Sequence, residues 1–216
     1  RPLPELGRFA ERLCGRIGYP PEEYFLYRPM FDPAWWLRVA AAGVVERADV
    51  FQAEFPGYAV PVHFAARLLG KRSVLVQHNV EYDRLAEMAG LDQGTIGRLR
   101  AFEVGICRAV DDVVAVSADD RDRIVRDGVP AGKITIIPHG VRVASLAQAD
   151  GRGIRERYGV PSSAPLLFFH GVLHYHPNTQ AVRFIVAELL PRLLDHHPDL
   201  RVICAGMNPP LYYSHP

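Results

Sequence analysis

Short runs rich in valine and isoleucine recur along this chain with helical stretches between them, and that alternation limits the possible folds more than any other feature. Runs at 50–53, 73–77, 113–116 and 134–137 are separated by helical patterns at 58–69, 81–89, 95–108 and 119–127. Strands alternating with helices read as βαβ units on a parallel sheet. Residues 144–153 hold few large apolar side chains and read as a linker, after which the pattern restarts. A short helix at 154–158, a strand at 166–170, a helix from 177 to about 194 and a strand at 201–205 follow. Pro191 falls late in that long helix and is expected to kink or end it. Upstream, Pro2, Pro4, Pro20, Pro21, Pro29 and Pro33 predict mostly loop over 1–33, with one helix near 5–17. Another helix opens at Asp32-Pro33, with the proline in its first turn. The expectation is an α/β protein of two parallel-sheet domains, 1–144 and 145–216. Both read as incomplete, since a doubly wound unit normally has about five or six strands. The chain opens on Arg1 rather than methionine and reads as an excerpt of something longer.

Composition removes several function classes. Twenty-five basic residues against 24 acidic ones leave a net charge of +1, which is no electrostatic footprint for nucleic acid. The apolar stretches are too short to span a bilayer, and no signal peptide is evident. Cys14, Cys107 and Cys204 are odd in number and scattered, which fits reduced thiols better than a disulfide framework or a zinc site. These features predict a soluble cytoplasmic protein. There is no P-loop, no Gly-x-Ser-x-Gly elbow, no Gly-x-Gly-x-x-Gly and no Cys-x-x-Cys.

Two apolar runs stop abruptly at polar residues: 74–82 (VLVQHNVEY) and 166–178 (LLFFHGVLHYHPN). Ligands of open α/β sheets bind just outside the carboxyl ends of the strands. The first run brings His78, Asn79 and Glu81 to such an edge, where an imidazole could donate to a sugar hydroxyl or a phosphate oxygen. The second brings Gly171 to a strand end and Asn178 to a helix start, so that backbone N–H groups face an anion such as a diphosphate. His174 and His176 could add positive charge there. Ser117 ends a third strand three residues before Asp120, in a capping pattern. Gly140 closes a tight turn after the fourth, where the lack of a side chain permits close approach of a ligand. The Asp120-Arg121-Asp122 triplet has a metal-binding form but sits in a helix's first turn, where carboxylates answer the helix dipole. No metal is expected.

On these residues the chain resembles the group 1 glycosyltransferases (glycosyltransferase family 4). Residues 76–85 look like that family's acceptor-domain strand and following helix. Residues 114–117, 127–128 and 133–141 look like the last βαβ unit of the same domain. Residues 167–171 with Pro177, Asn178, Pro191, Pro198, Asp199 and Gly206 look like the opening of the donor domain. The resemblance implies a GT-B-like fold of two Rossmann-like domains. It also implies retaining transfer from a nucleotide-activated sugar, without metal or other cofactor, to a glycan, lipid or small-molecule acceptor. It makes His78 the catalytic contact to the donor sugar, and Gly171, His174, Asn178 and Gly140 donor-binding residues. Asn79, Glu81 and Ser117 become sugar or acceptor contacts. Peripheral contact with the inner face of the membrane is compatible with it. The chain departs from the pattern where members carry Arg and Lys after the donor-domain glycine, because Val172, His174 and His176 stand there; His139 replaces the usual Asn before Gly140. The family's glycine-rich loop and its glutamate pair are not in this stretch, so the excerpt is expected to be inactive alone. The alternatives are a non-catalytic scaffold or assembly subunit, a GT-B sugar-nucleotide epimerase, or a periplasmic-type sugar-binding module.

Overall fold

Six strands form among the residues described by the computed structural model, 4–19, 21–147 and 149–207, and every strand pairing is parallel. The chain divides into two units, Arg1–Gly140 and Val141–Pro216.

The first unit opens with helices α1 (Pro4–Ile17), α2 (Tyr24–Phe31) and α3 (Pro33–Val45). It continues with β1 (Val50–Ala53), α4 (Pro56–Leu68), β2 (Arg72–Gln77), α5 (Glu81–Ala89) and α6 (Gln93–Ala109), then β3 (Asp112–Ala115), α7 (Ala118–Arg126) and β4 (Ile134–Ile136). The sheet order is β1-β2-β3-β4. Each strand therefore lies beside the one before it, and all four carboxyl ends share one edge. Alternation fixes the faces: β2 buries Ser73, Leu75 and Gln77, while β1 buries Phe51 and Ala53. Leu75, Leu85, Leu99, Val110 and Val113, each at most 2% exposed, belong to the core that locks the helices onto the sheet.

Helix α2 corrects the loop expected over 24–31. Pro29 lies inside it and removes one backbone donor. Burial of Leu26, Tyr27 and Pro29, and the stacking of Tyr27 on Tyr19 at 3.9 Å between ring centroids, outweigh that loss. Pro2 and Pro20 lie outside the described residues.

The second unit contains α8 (Val143–Leu146), α9 (Arg152–Arg157), β5 (Leu166–His170), α10 (His176–Phe184), α11 (Leu190–Leu194) and β6 (Arg201–Ala205). The stretch expected to be only linker thus carries the single turn of α8. A π-helical turn, Ile185–Leu189, joins α10 to α11, and Pro191 lies in the first turn of α11, so it does not end the helix. In a regular α-helix a proline ring collides with the carbonyl four residues back, and here a wider π-turn directly precedes the proline's own turn. Strands β5 and β6 pair from Leu166↔Arg201 to His170↔Ala205. Just past that pairing the two segments come so close that a Cβ on Gly206 would lie 1.6 Å from the Gly171 carbonyl oxygen. No helix among the described residues is long and apolar enough to cross a membrane.

Candidate functional site

Three strand ends of the first unit deliver three polar side chains to one place. Glu54 follows β1, His78 follows β2 and His139 lies just beyond β4. The His78 Nε2 is 2.8 Å from Glu54 Oε2. Its ring packs against Phe55 at 5.0 Å and lies nearly parallel to His139 at 5.3 Å, with an 8° interplanar angle. An ionised carboxylate only accepts, so Nε2 carries the hydrogen and donates it to Glu54. In the neutral ring Nδ1 is then an acceptor. With Nε2 held by Glu54, Nδ1 is the ring nitrogen left to meet a sugar hydroxyl. The His78 side chain is 26% exposed, open enough to meet a ligand.

The neighbouring candidates have other engagements. Asn79 donates to Glu81 Oε1 at 3.3 Å. Glu81 is 1% exposed, and its carboxylate holds Arg84 Nε at 2.6 Å; Arg84 in turn binds both oxygens of Glu23. The three form a buried charge network in which each removal would strand a partner. Ser117 caps α7, accepting from the Asp120 N–H at 3.1 Å while its hydroxyl donates to Asp120 Oδ2 at 2.5 Å. Asp120 is thereby occupied, and Arg121 pairs with Asp122 at 3.4 Å. Gly140 is exposed, and a Cβ there would meet nothing within 4 Å.

Sequence reasoning passed over Glu103, on α6. It is 2% exposed and accepts from the backbone N–H of Glu81 and of Tyr82, both at 3.0 Å, and from the Gln77 side-chain amide at 2.8 Å. Val80, at the N-cap of α5, offers no side-chain cap; a carboxyl group from another helix supplies it. Burial pushes the Glu103 carboxyl up to about 8, helped by nearby Glu81 and opposed by the three donors. The folded chain therefore keeps a proton that the unfolded chain releases near the usual 4.5. Stability from this group falls as pH rises from that value to about 8. Glu103→Gln cannot titrate, so the melting temperature of the wild type minus that of the variant is expected to fall between about pH 5 and pH 8. Paired melts at constant ionic strength measure it, and a difference that grows with pH would contradict the assignment.

A His–Ser–Asp chain occupies the opposite end of β2. His63 Nδ1 lies 2.9 Å from Ser73 Oγ, which donates to Asp111 Oδ2 at 2.9 Å. Ser73 is fully buried and its N–H also binds Asp111, so the group fixes the start of the strand instead of presenting a nucleophile.

In the second unit Gly171 and Asn178 meet. The Asn178 amide donates to the Val172 carbonyl at 3.0 Å, and a Cβ on Gly171 would come within 2.6 Å of that amide nitrogen. The turn after β5 is thus folded against the start of α10, with Leu173 buried beneath it and His174 and His176 exposed. Among the described residues no group of three or more His, Cys, Asp or Glu side chains is arranged to hold a metal ion.

Comparison with known proteins gives a consistent picture. The family model described as Glycosyltransferase Family 4 matches residues 4–145. The D-inositol 3-phosphate glycosyltransferase of Kineococcus radiotolerans is 33% identical over 106 residues, which are 48% of this chain. They are 24% of that protein, so the match spans about a quarter of its length. The crystal structure of Anabaena Alr3699/HepE in complex with UDP and glucose superposes with a TM-score of 0.58 at 15% identity, over 79% of this chain and 42% of that one. The same protein with UDP-glucose gives 0.54 at 14% identity, over 81% and 52%. Similarity at that level of identity shows a shared fold, the GT-B arrangement of parallel α/β units.

Proposed function

Because the chain belongs to Glycosyltransferase Family 4, we propose that the intact protein moves a sugar from a nucleotide-activated donor to an acceptor hydroxyl with retention at the anomeric carbon. The observation that carries the reading is the convergence of Glu54, His78 and His139 at the carboxyl edge of one parallel sheet. In the reaction the bond from the anomeric carbon to the diphosphate oxygen breaks, its electron pair leaving with the nucleotide. The acceptor oxygen bonds to that carbon, and its proton passes to the departing phosphate. Nothing in this scheme needs a covalent nucleophile. His78 would hold a donor-sugar hydroxyl through Nδ1 while Glu54 fixes the ring, so that position and preorganisation lower the barrier. Gly171 and Asn178, with the backbone N–H groups at the start of α10, would receive the diphosphate. The complexes of Alr3699/HepE with UDP and UDP-glucose support a nucleotide-sugar donor.

The acceptor is a glycan, a lipid or a small molecule, and action in the cytoplasm with peripheral contact at the inner membrane face belongs to the same proposal. Arg98, Arg100 and Arg108 of α6 are bonded to Thr95, Asp127 and the Gly128 carbonyl within the unit. A non-catalytic scaffold is the second reading, favoured by His174 and His176 standing where the resemblance to the family leads one to expect Arg and Lys. The deciding assay incubates the intact protein with a panel of uridine-, adenosine- and guanosine-diphosphate sugars. It follows nucleotide release and the anomeric configuration of any product by NMR. Release coupled to a retained glycoside is expected. Failure to turn over or bind any of the panel would leave the scaffold reading.

A further inference from the structure

The turn that presents His78 is three residues long, and one buried side chain grips both of its ends. Gln77 closes β2, residues 78–80 form the turn, and Glu81 opens α5. Glu103 Oε1 accepts from Gln77 Nε2 at 2.8 Å on one side of the turn and from the Glu81 N–H at 3.0 Å on the other. Its Oε2 accepts from the Tyr82 N–H at 3.0 Å. Gln77 also reaches Cys107 Sγ at 3.4 Å, one helical turn further along α6, so the strand end is tied to that helix twice. Within the turn, among the described residues, the His78 side chain is bonded to Glu54 and the Asn79 side chain to Glu81. The direction in which the imidazole leaves the backbone is therefore set by where the ends of the turn are held.

We infer that Glu103 is a positioning residue for His78: its carboxyl group clamps Gln77 to the start of α5 and so keeps the imidazole in register with Glu54. This rests on the reading of His78 as the donor-sugar contact. No shorter-range group performs the task, since Val80 provides no cap and Ser, Thr, Asn or Asp is absent from the N-cap position. Helix α6 is a suitable anchor. Its residues 99, 103 and 107 recur at helical spacing, and Leu99 and Cys107 are buried on either side of the glutamate. Replacement by glutamine keeps the size and one acceptor but turns an NH2 toward a cluster of donors, so at least one of the three bonds is lost.

The test has a structural and a kinetic arm, both on the intact protein. In hydrogen-exchange mass spectrometry Glu103→Gln is expected to raise exchange across 77–82 by about tenfold or more, while β3 keeps its protection. Unchanged exchange over 77–82 would overturn the clamp whatever the protein catalyses. In turnover of the nucleotide sugar found active, Glu103→Gln is expected to lower kcat by about 10–100-fold with the donor KM within about twofold. Placed on top of His78→Ala, the same change is expected to cost nothing more, because its effect runs through His78. Effects that multiply would overturn positioning through the histidine. If Glu103→Gln does not fold, Glu103→Asp keeps the acceptors but is one methylene too short to reach both ends; it is read by the same cycle. Full activity in His78→Ala would instead reject the role given to His78. A protein inactive on every nucleotide sugar would reject the proposed function, with the exchange arm still deciding the clamp.

Discussion

His78→Ala in the intact protein is expected to lower sugar transfer by about 10²–10³-fold while the melting temperature moves by no more than about 2 °C. The two halves of that result have different origins. Truncation removes a partly exposed ring that makes one 2.8 Å bond to Glu54 and packs on Phe55 and His139. Glu54 is half exposed, so water can replace the lost donor and no buried charge is stranded. Loss of a preorganised contact to the reacting sugar has no such remedy, because water in that place must reorganise during the reaction. Steady-state rates at saturating donor, beside a thermal melt, separate the effects. Activity within threefold of wild type would remove His78 from the catalytic machinery, and a collapse of the melt would make it a structural residue. Glu54→Gln gives a graded check: it leaves the ring in place but weakens its anchor, and an intermediate loss is expected.

Gly206→Ala should destabilise the second unit by about 3 kcal/mol. A Cβ at that position would sit 1.6 Å from the Gly171 oxygen and 2.8 Å from its carbonyl carbon. Both are backbone atoms, and the Gly171 N–H is bonded to the Ala205 carbonyl at 3.1 Å. Relief requires the ends of β5 and β6 to separate, at the turn where Asn178 folds over Gly171. Weaker nucleotide binding should accompany the lost stability, measured by denaturant unfolding and by titration with UDP. Gly140→Ala is the control for glycine itself. It has open space around it, so stability should stay within about 0.5 kcal/mol. Any loss of activity there would then report a ligand passing close to the backbone. A Gly206→Ala protein as stable as wild type would mean the two strand ends are not held together as described.

The sequence made the strands legible because their apolar runs are short, rich in β-branched or aromatic residues, and bounded by polar residues or glycine. Those at 50–53, 166–170 and 201–205 agree with the structure to the residue. Helix α2 was hidden by Pro29, whose local penalty says nothing about the burial of Tyr27 that outweighs it. The candidate site was legible only as a set of strand ends. His78 stood out, whereas Glu54 was missed even though it follows β1 just as His78 follows β2. Its pairing with the histidine depends on the register of two strands, which pattern alone does not supply. Glu81 and Ser117 look like ligand contacts in one dimension; in three, one lies inside an ion network and the other caps a helix. Glu103 did leave a signal, a charged residue on an otherwise apolar helical stripe with Leu99 and Cys107. Buried glutamates are rare, so a lone glutamate on such a stripe implies hydrogen-bond donors around its carboxyl group.

The assembly of Glu54, His78 and His139 from three strands ties chemistry to the order of folding. Parallel neighbours are joined only through long crossovers, so each pairing closes a large loop before any contact rewards it. Glu54 cannot face His78 until β1 lies beside β2, and His139 cannot stack until β3 has filled the gap and β4 has docked on it. The imidazole stack is therefore a clock for the sheet. Its NMR signature should emerge with the slowest refolding phase, well after the helices have formed.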